Sequence, residues 1–244
     1  IYNTYVGGLT GSDGTSGDRN VGLGLQALEK NTQANKNIAI GVNALRMFNI
    51  TSNTDGHNIA IGDEAGSSIT TGIENIIIGN NSGGTLDGIE NTAVGYATLT
   101  ADCGNHNTAV GRTSFQLLTA TSCTGIGTEA GRYMTSGVNN TAVGKAALRG
   151  GSTSGNTGAY NTAVGMDAAK SITTGQYNTV MGYLAAGTIT TGTNNTCIGY
   201  YSGYNDTQST QTTIVGAQAG ISFGPGSAVS YTTLMGFQAG YYNI

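Results

Sequence analysis

The five-residue stretch Asn-Thr-Ala-Val-Gly occurs at 91–95, 107–111, 140–144 and 161–165, and no other feature limits the fold of this chain so strongly. A relaxed form of the stretch runs polar, β-branched, small or apolar, aliphatic, Gly. It closes fourteen times, at Gly7, Gly24, Gly41, Gly62, Gly79, Gly95, Gly111, Gly127, Gly144, Gly165, Gly182, Gly199, Gly216 and Gly236. Ten of the thirteen intervals are 16 or 17 residues and three are stretched to 20 or 21. Such a unit is too short for a helical hairpin or a propeller blade and holds one coil of short strands and turns. The sequence therefore predicts an all-β parallel β-solenoid of about fourteen coils, with residues 1–244 as a single repeat-array domain cut from a longer fibre.

Each column of the repeat has its own chemistry. The residue before the Gly is always aliphatic, as in Val94, Val110, Val143 and Val164 (the Val column). Three before the Gly stands Thr, Ile or Val, with Thr in ten of the fourteen copies (the Thr column). Side chains two apart share one face of a strand, so these two columns lie together, and the reading assigns them to the core of the coil. The residue between them is most often Ala, as at Ala93, Ala109, Ala142 and Ala163 (the Ala column). It is apolar as well, and a strand apolar on both faces is covered on both. On this reading the Ala column sits at a subunit interface. Four before the Gly, eleven copies carry Asn, placed at a corner where its amide stacks on the Asn of the next coil.

Composition narrows the classes of function. With 41 Gly, one Pro, no Trp and 9% charged residues, the chain is unlike an ordinary enzyme domain. Nine Lys and Arg against a net charge of −4 leave no basic stripe, which argues against nucleic acid and against an anionic membrane surface. No apolar run reaches eighteen residues, so no membrane-inserting segment is expected. Three Cys in three different columns imply no disulfide framework.

Asn-Thr-Ala-Val-Gly-Tyr-x-x-Leu, with its small residue three after the Gly, resembles the head repeats of trimeric autotransporter adhesins and the repeats of some phage tail fibres. The resemblance covers essentially the whole chain. It implies a left-handed β-roll in which three chains pack about a common axis, and a role in attachment at a cell surface or on a virion. The expected partners are two further copies of the chain and a cell-surface glycan or protein receptor, outside the cell. A self-assembling extracellular filament is one alternative. A lattice-binding solenoid is another, since a regular Thr column suits ice, although the inward placement of that column counts against it.

No enzyme is expected. Gly22-Leu23-Gly24-Leu25-Gln26-Ala27 and Gly125-Ile126-Gly127-Thr128-Glu129-Ala130 fit a dinucleotide pattern, but each is the repeat itself with no long helix after it, so no cofactor follows. His57, Glu74, Glu90 and His106 share the column five before the Gly, which reads as an exposed charge ladder before it reads as a metal site. Attachment is placed on tyrosine. Tyr183 and Tyr200 stand just after the Gly in successive coils, Tyr160 and Tyr177 stand five before it, and Tyr201 and Tyr204 extend the first pair. Rings repeating at about 4.8 Å would form a rigid amphipathic strip suited to flat sugar faces or to a protein. The stretched intervals, around 47–55, 150–158 and 221–230, are candidate contact loops.

Overall fold

The structure, a computed structural model, describes residues 2–151, 156–221 and 230–241. It contains two compact units, Ile1–Ser122 and Cys123–Ile244. In the first unit the strands are β1 (Thr4–Val6), β2 (Val21–Leu23), β3 (Ile38–Ile40), β4 (Ile59–Ile61), β5 (Ile76–Ile78), β6 (Thr92–Val94) and β7 (Thr108–Val110). In the second they are β8 (Thr124–Ile126), β9 (Thr141–Val143), β10 (Thr162–Val164), β11 (Thr179–Met181), β12 (Thr196–Ile198), β13 (Thr213–Val215) and β14 (Thr233–Met235). Within each unit every strand pairs in parallel with the next along the chain, column on column, for example Ala39 beside Ala60 and Ala163 beside Val180. Each unit is thus a β-solenoid, and among the described residues there is no helix.

Among the described residues only three per coil are strand, so the corners do much of the shaping. Besides the closing Gly, three columns adopt positive φ: the residue five before the Gly, the residue two after it and the residue four after it. The third is Gly in some coils but Leu28, Leu45, Leu99, Phe115 and Leu148 in others, with φ of 43 to 52°. A left-handed non-Gly residue costs on the order of 1 kcal/mol. Hydrogen bonds to the neighbouring coil hold these residues in place, as Leu28 N–H donates to Ala44 O at 3.0 Å and Gln26 N–H to Gly8 O at 2.9 Å. Stacking therefore fixes a backbone that one coil alone would not keep. The closing Gly has φ of 118 to 138°, and a Cβ there would strike the corresponding carbonyl of the next coil, as at Gly41, 2.2 Å from Gly62 O.

The Asn column forms a buried ladder, but its residues are not the left-handed corner; the residue before each Asn is. Asn20 Oδ1 accepts Asn37 N–H at 2.9 Å, Asn58 Oδ1 accepts Asn75 N–H at 3.0 Å and Asn161 Oδ1 accepts Asn178 N–H at 3.0 Å. The side-chain amide reaches the corner of the next coil three residues before that coil's own Asn, Asn58 Nδ2 donating to Gly72 O at 2.8 Å and Asn178 Nδ2 to Gly192 O at 2.9 Å. One side chain thus satisfies both a donor and an acceptor at the same corner of the next coil, which keeps these buried polar groups paired.

The core corrects the expected orientation of the strand. Ala39, Ala60, Ala93, Ala109, Ala142 and Ala163 are fully buried within their own coils, so the Ala column is interior and not a subunit interface. The Thr and Val columns face outward, and no residue of either is buried. The interior is closed from the other side by the fourth residue after the Gly and by a corner residue three further on, Phe48, Ile69, Leu86, Leu118, Met134 and Ile172 among them. Sizes compensate across this space. Ala39, Ala93, Ala109 and Ala142 occur in coils with Leu45, Leu99, Phe115 and Leu148, whereas Tyr5, Ile77 and Ile214 occur with Gly11, Gly83 and Gly220. A Cβ on Gly83 would lie 3.1 Å from Ile77, and one on Gly11 would lie 2.6 Å from the Tyr5 ring. In these coils large faces small because the volume is shared, while Ala60 with Gly66 and Ala163 with Ala169 are small on both sides.

Two carboxylates are built into the stacking with opposite consequences. Asp87 Oδ1 accepts the N–H groups of Thr70 and Thr71 at 2.7 and 2.9 Å, the place taken by Thr32 O toward Thr15 and Ser16 in an earlier coil. Burial works to raise its pKa, yet the N–H groups of Thr71 and Thr70 and the Thr70 hydroxyl outweigh it and hold the carboxyl below its usual range. Asp206 is buried, and there burial prevails over the Ser209 N–H that it accepts at 2.9 Å, so its pKa is raised. Asp206 occupies the corner position of Asn31, which accepts Ala34 N–H at 2.9 Å and donates to Ala34 O at 3.1 Å. A raised pKa means that the folded state binds the proton more tightly, so stability falls as pH rises from about 4 through the folded-state value. Asp206→Asn is expected to stabilise the chain at pH 7 by on the order of 1 kcal/mol, with the gain fading toward pH 4. Urea unfolding at the two pH values measures this, and equal or lower stability at pH 7 would count against it.

Candidate functional site

Since the coil interior is closed by its own side chains, chemistry with a partner must use the outer surface. Three parts of that surface stand out: the outward sheet face of each unit, the tyrosines of the second unit and the charged column of the first.

The sheet face differs between the units. In β2 to β5 both outward columns are aliphatic: Val21 and Leu23, Ile38 and Ile40, Ile59 and Ile61, Ile76 and Ile78. Leu23 is 45% exposed and Ile76 40%, and Leu25 and Val42, just after their Gly residues, add further exposed apolar surface. Contiguous apolar patches of this kind on a soluble surface mark contact sites. In the second unit every strand begins with Thr and ends with Val, Ile or Met, so that face alternates a hydroxyl-bearing column with an aliphatic one.

The six tyrosines singled out from the sequence form two groups. Tyr160 and Tyr177 stack with ring centroids 5.0 Å apart and planes 8° from parallel. Tyr183 and Tyr200 stack at 5.6 Å, while Tyr201 meets Tyr200 edge-on at 4.6 Å and leads to Tyr204 at 4.9 Å. Tyr204 lies over Gly187, where a Cβ would come within 3.0 Å of its ring. Stacked rings cover each other's faces, so the strip presents ring edges and hydroxyls outward more than it presents flat platforms for sugars. Tyr177 and Tyr200 are about half exposed, and no ring contact joins the two groups among the described residues.

The charged column carries a ladder of close polar contacts, most of them between neighbouring coils. His106 Nδ1 lies 2.9 Å from Glu90 Oε2, His57 lies 3.8 Å from Asp55 and 4.0 Å from Glu74, and Lys36 Nζ lies 2.6 Å from Asp55 Oδ2. Its hydrogen bond from Lys36 is the main influence holding the Asp55 carboxyl below its usual range. His57, Glu74, Glu90 and His106 are all about half exposed, where such pairs contribute little. Among the described residues no group of three or more His, Cys, Asp or Glu is placed to hold a metal ion.

Of the three stretched intervals, 47–55 is described, and side chains tie it to the preceding coil. Asn49 Oδ1 accepts the Thr32 hydroxyl at 2.6 Å, and Asn53 Oδ1 accepts Asn35 Nδ2 at 2.9 Å. The centres of the other two, 152–155 and 222–229, lie outside the described residues. The three Cys are buried and unbridged; burial and the neighbouring Asp206 charge push the Cys197 thiol up to about 12, away from the reactive thiolate. In both dinucleotide-like stretches the first Gly faces the coil interior and turns follow the second, with no helix to receive a phosphate. No helix of the described residues is long and apolar enough to cross a membrane. Compared with protein-family models, with curated proteins and with solved structures, the chain matches none of them.

Proposed function

We propose that this chain is a segment of an extracellular surface fibre, on a cell or a virion, that associates with copies of itself through β2–β5 and attaches to a target through its tyrosines. The observation that carries the reading is the aliphatic face of β2 to β5, where both outward columns are Ile, Val or Leu and none is buried within its own coil. Covering such a side chain contributes roughly 1.5 to 3 kcal/mol at most, and eight in a flat block, without a charge among them, fit the same block on another copy. A homotrimer is the arrangement that the resemblance of the repeat suggests. The Tyr183, Tyr200, Tyr201 and Tyr204 cluster and the Tyr160–Tyr177 pair then provide rigid amphipathic contacts for a glycan or protein receptor at small entropic cost. The chain has no catalytic role in this reading.

Light scattering of the full chain is expected to return three times the chain mass. Ile59→Asp with Ile61→Asp should lower that mass while the circular dichroism of the solenoid persists, because the added charges lie on the outside of the coil. A soluble wild-type monomer would remove the basis of the proposal. With the assembled protein, Tyr183→Ala, Tyr200→Ala and Tyr204→Ala together should weaken capture on glycan arrays and on cells; undiminished capture would move attachment to the stretched intervals.

A further inference from the structure

From the outward face of the second unit we infer a binding surface for an ordered water lattice, that is, for ice. Every strand from β8 to β14 begins with Thr, and strand pairing places each Thr beside the next in register, as Thr162 lies between Thr141 and Thr179. Neighbouring strands repeat at about 4.8 Å, so the hydroxyls and methyls form a row with one spacing. Two residues on runs a parallel row of Val, Ile and Met, and neither row holds a charge. None of these Thr is buried, and none of their hydroxyls bonds to another protein group among the described residues. Thr is stiff at χ1, and the Asn ladder beneath, with Asn178 Oδ1 accepting Asn195 N–H at 3.0 Å, holds successive strands in register. The row is therefore rigid, periodic and open.

The same features disfavour a dry apolar cover. Burying an unpaired hydroxyl costs roughly 1 to 3 kcal/mol, and this face would bury one in every coil, whereas the β2–β5 block has none. Water molecules on a lattice can give each hydroxyl a partner at a constant repeat, while the methyls and the aliphatic row fit between them. The inference uses other strands, β8–β14, than the β2–β5 of the proposed self-association, so either can fail alone.

The test cools a solution of the full chain around a single ice crystal and reads crystal shape and the gap between melting and freezing temperatures. The expected result is a faceted crystal and a gap that grows with protein concentration. Thr162→Tyr with Thr179→Tyr should reduce the gap at least five-fold, while Thr174→Tyr with Thr191→Tyr, on the exposed return corner, should leave it intact. If the first pair does not fold, Thr162→Ser with Thr179→Ser decides, since it removes only methyls; an unchanged gap in the folded Ser variant would overturn the inference. A rounded crystal and no gap with folded wild-type protein would also overturn it. So would a fall in assembly mass with the Thr162 and Thr179 variants, which would assign this face to contact between copies.

Discussion

Gly41→Ala is expected to lower the stability of the chain by about 3 to 5 kcal/mol, enough to unfold a marginal domain. Two effects add. The backbone at Gly41 has φ of 134°, a conformation that costs an L residue on the order of 1 to 3 kcal/mol. The added Cβ would also lie 2.2 Å from Gly62 O and 2.5 Å from Gly62 C, and these are backbone atoms of the next coil, which cannot swing aside as a flexible side chain would. Relieving the clash means separating two coils and losing the bonds that join them, among them Gly62 N–H to Ile40 O at 2.8 Å. Thermal and urea unfolding of the variant measure the effect, and a loss below 1 kcal/mol would show that the coils can part cheaply there. Gly8→Ala, where φ is ordinary and the nearest atom is the Leu25 side chain at 3.3 Å, should change stability little and serves as the control.

Ala142→Asp is expected to abolish folding, whereas Val143→Asp, one residue on, should leave the coil folded. Ala142 is fully buried in an interior already filled by Leu148, which is fully buried too. A carboxylate there has no cation to pair with and no room, and an uncompensated buried charge costs about 3 to 5 kcal/mol or more. Val143 points outward and is not buried, so the same charge there meets water. Circular dichroism and unfolding of the two variants read the contrast directly. A folded Ala142→Asp chain with wild-type stability would return the Ala column to the outside of the coil.

Much of this architecture is legible in the residues. Fourteen closing Gly mark fourteen strands, each ending at the residue before its Gly, because only a residue without Cβ fits where coils press together. Eleven Asn four before the Gly announce a ladder, since a buried amide needs a partner at a fixed repeat and the next coil supplies one. The stacking of Tyr160 on Tyr177 follows from their sharing a column one coil apart. The two faces of the strand are not legible in the same way. A stretch of three residues that is apolar on both sides has no hydrophobic pattern to distinguish inside from outside. Bulk alone points to Val and Ile as core over Ala, the reverse of the packing.

Tertiary packing decides that question by volume. A coil interior receives side chains from every side, and where Leu99 or Phe115 enters from the far wall only Ala93 or Ala109 fits opposite. Where the far wall offers Gly83, the strand supplies Ile77. That compensation is written in the sequence, but it becomes a signal only when the two columns are known to face each other, a fact of the closed coil. The sequence by itself determined the repeat, the strand that precedes each Gly, the Gly corners and the Asn ladder, each enforced by contacts between equivalent residues of successive coils. Which face is inside was settled only by the tertiary structure, because it depends on non-equivalent residues brought together across the coil, and with it were settled the aliphatic block of β2–β5 and the outward Thr rows.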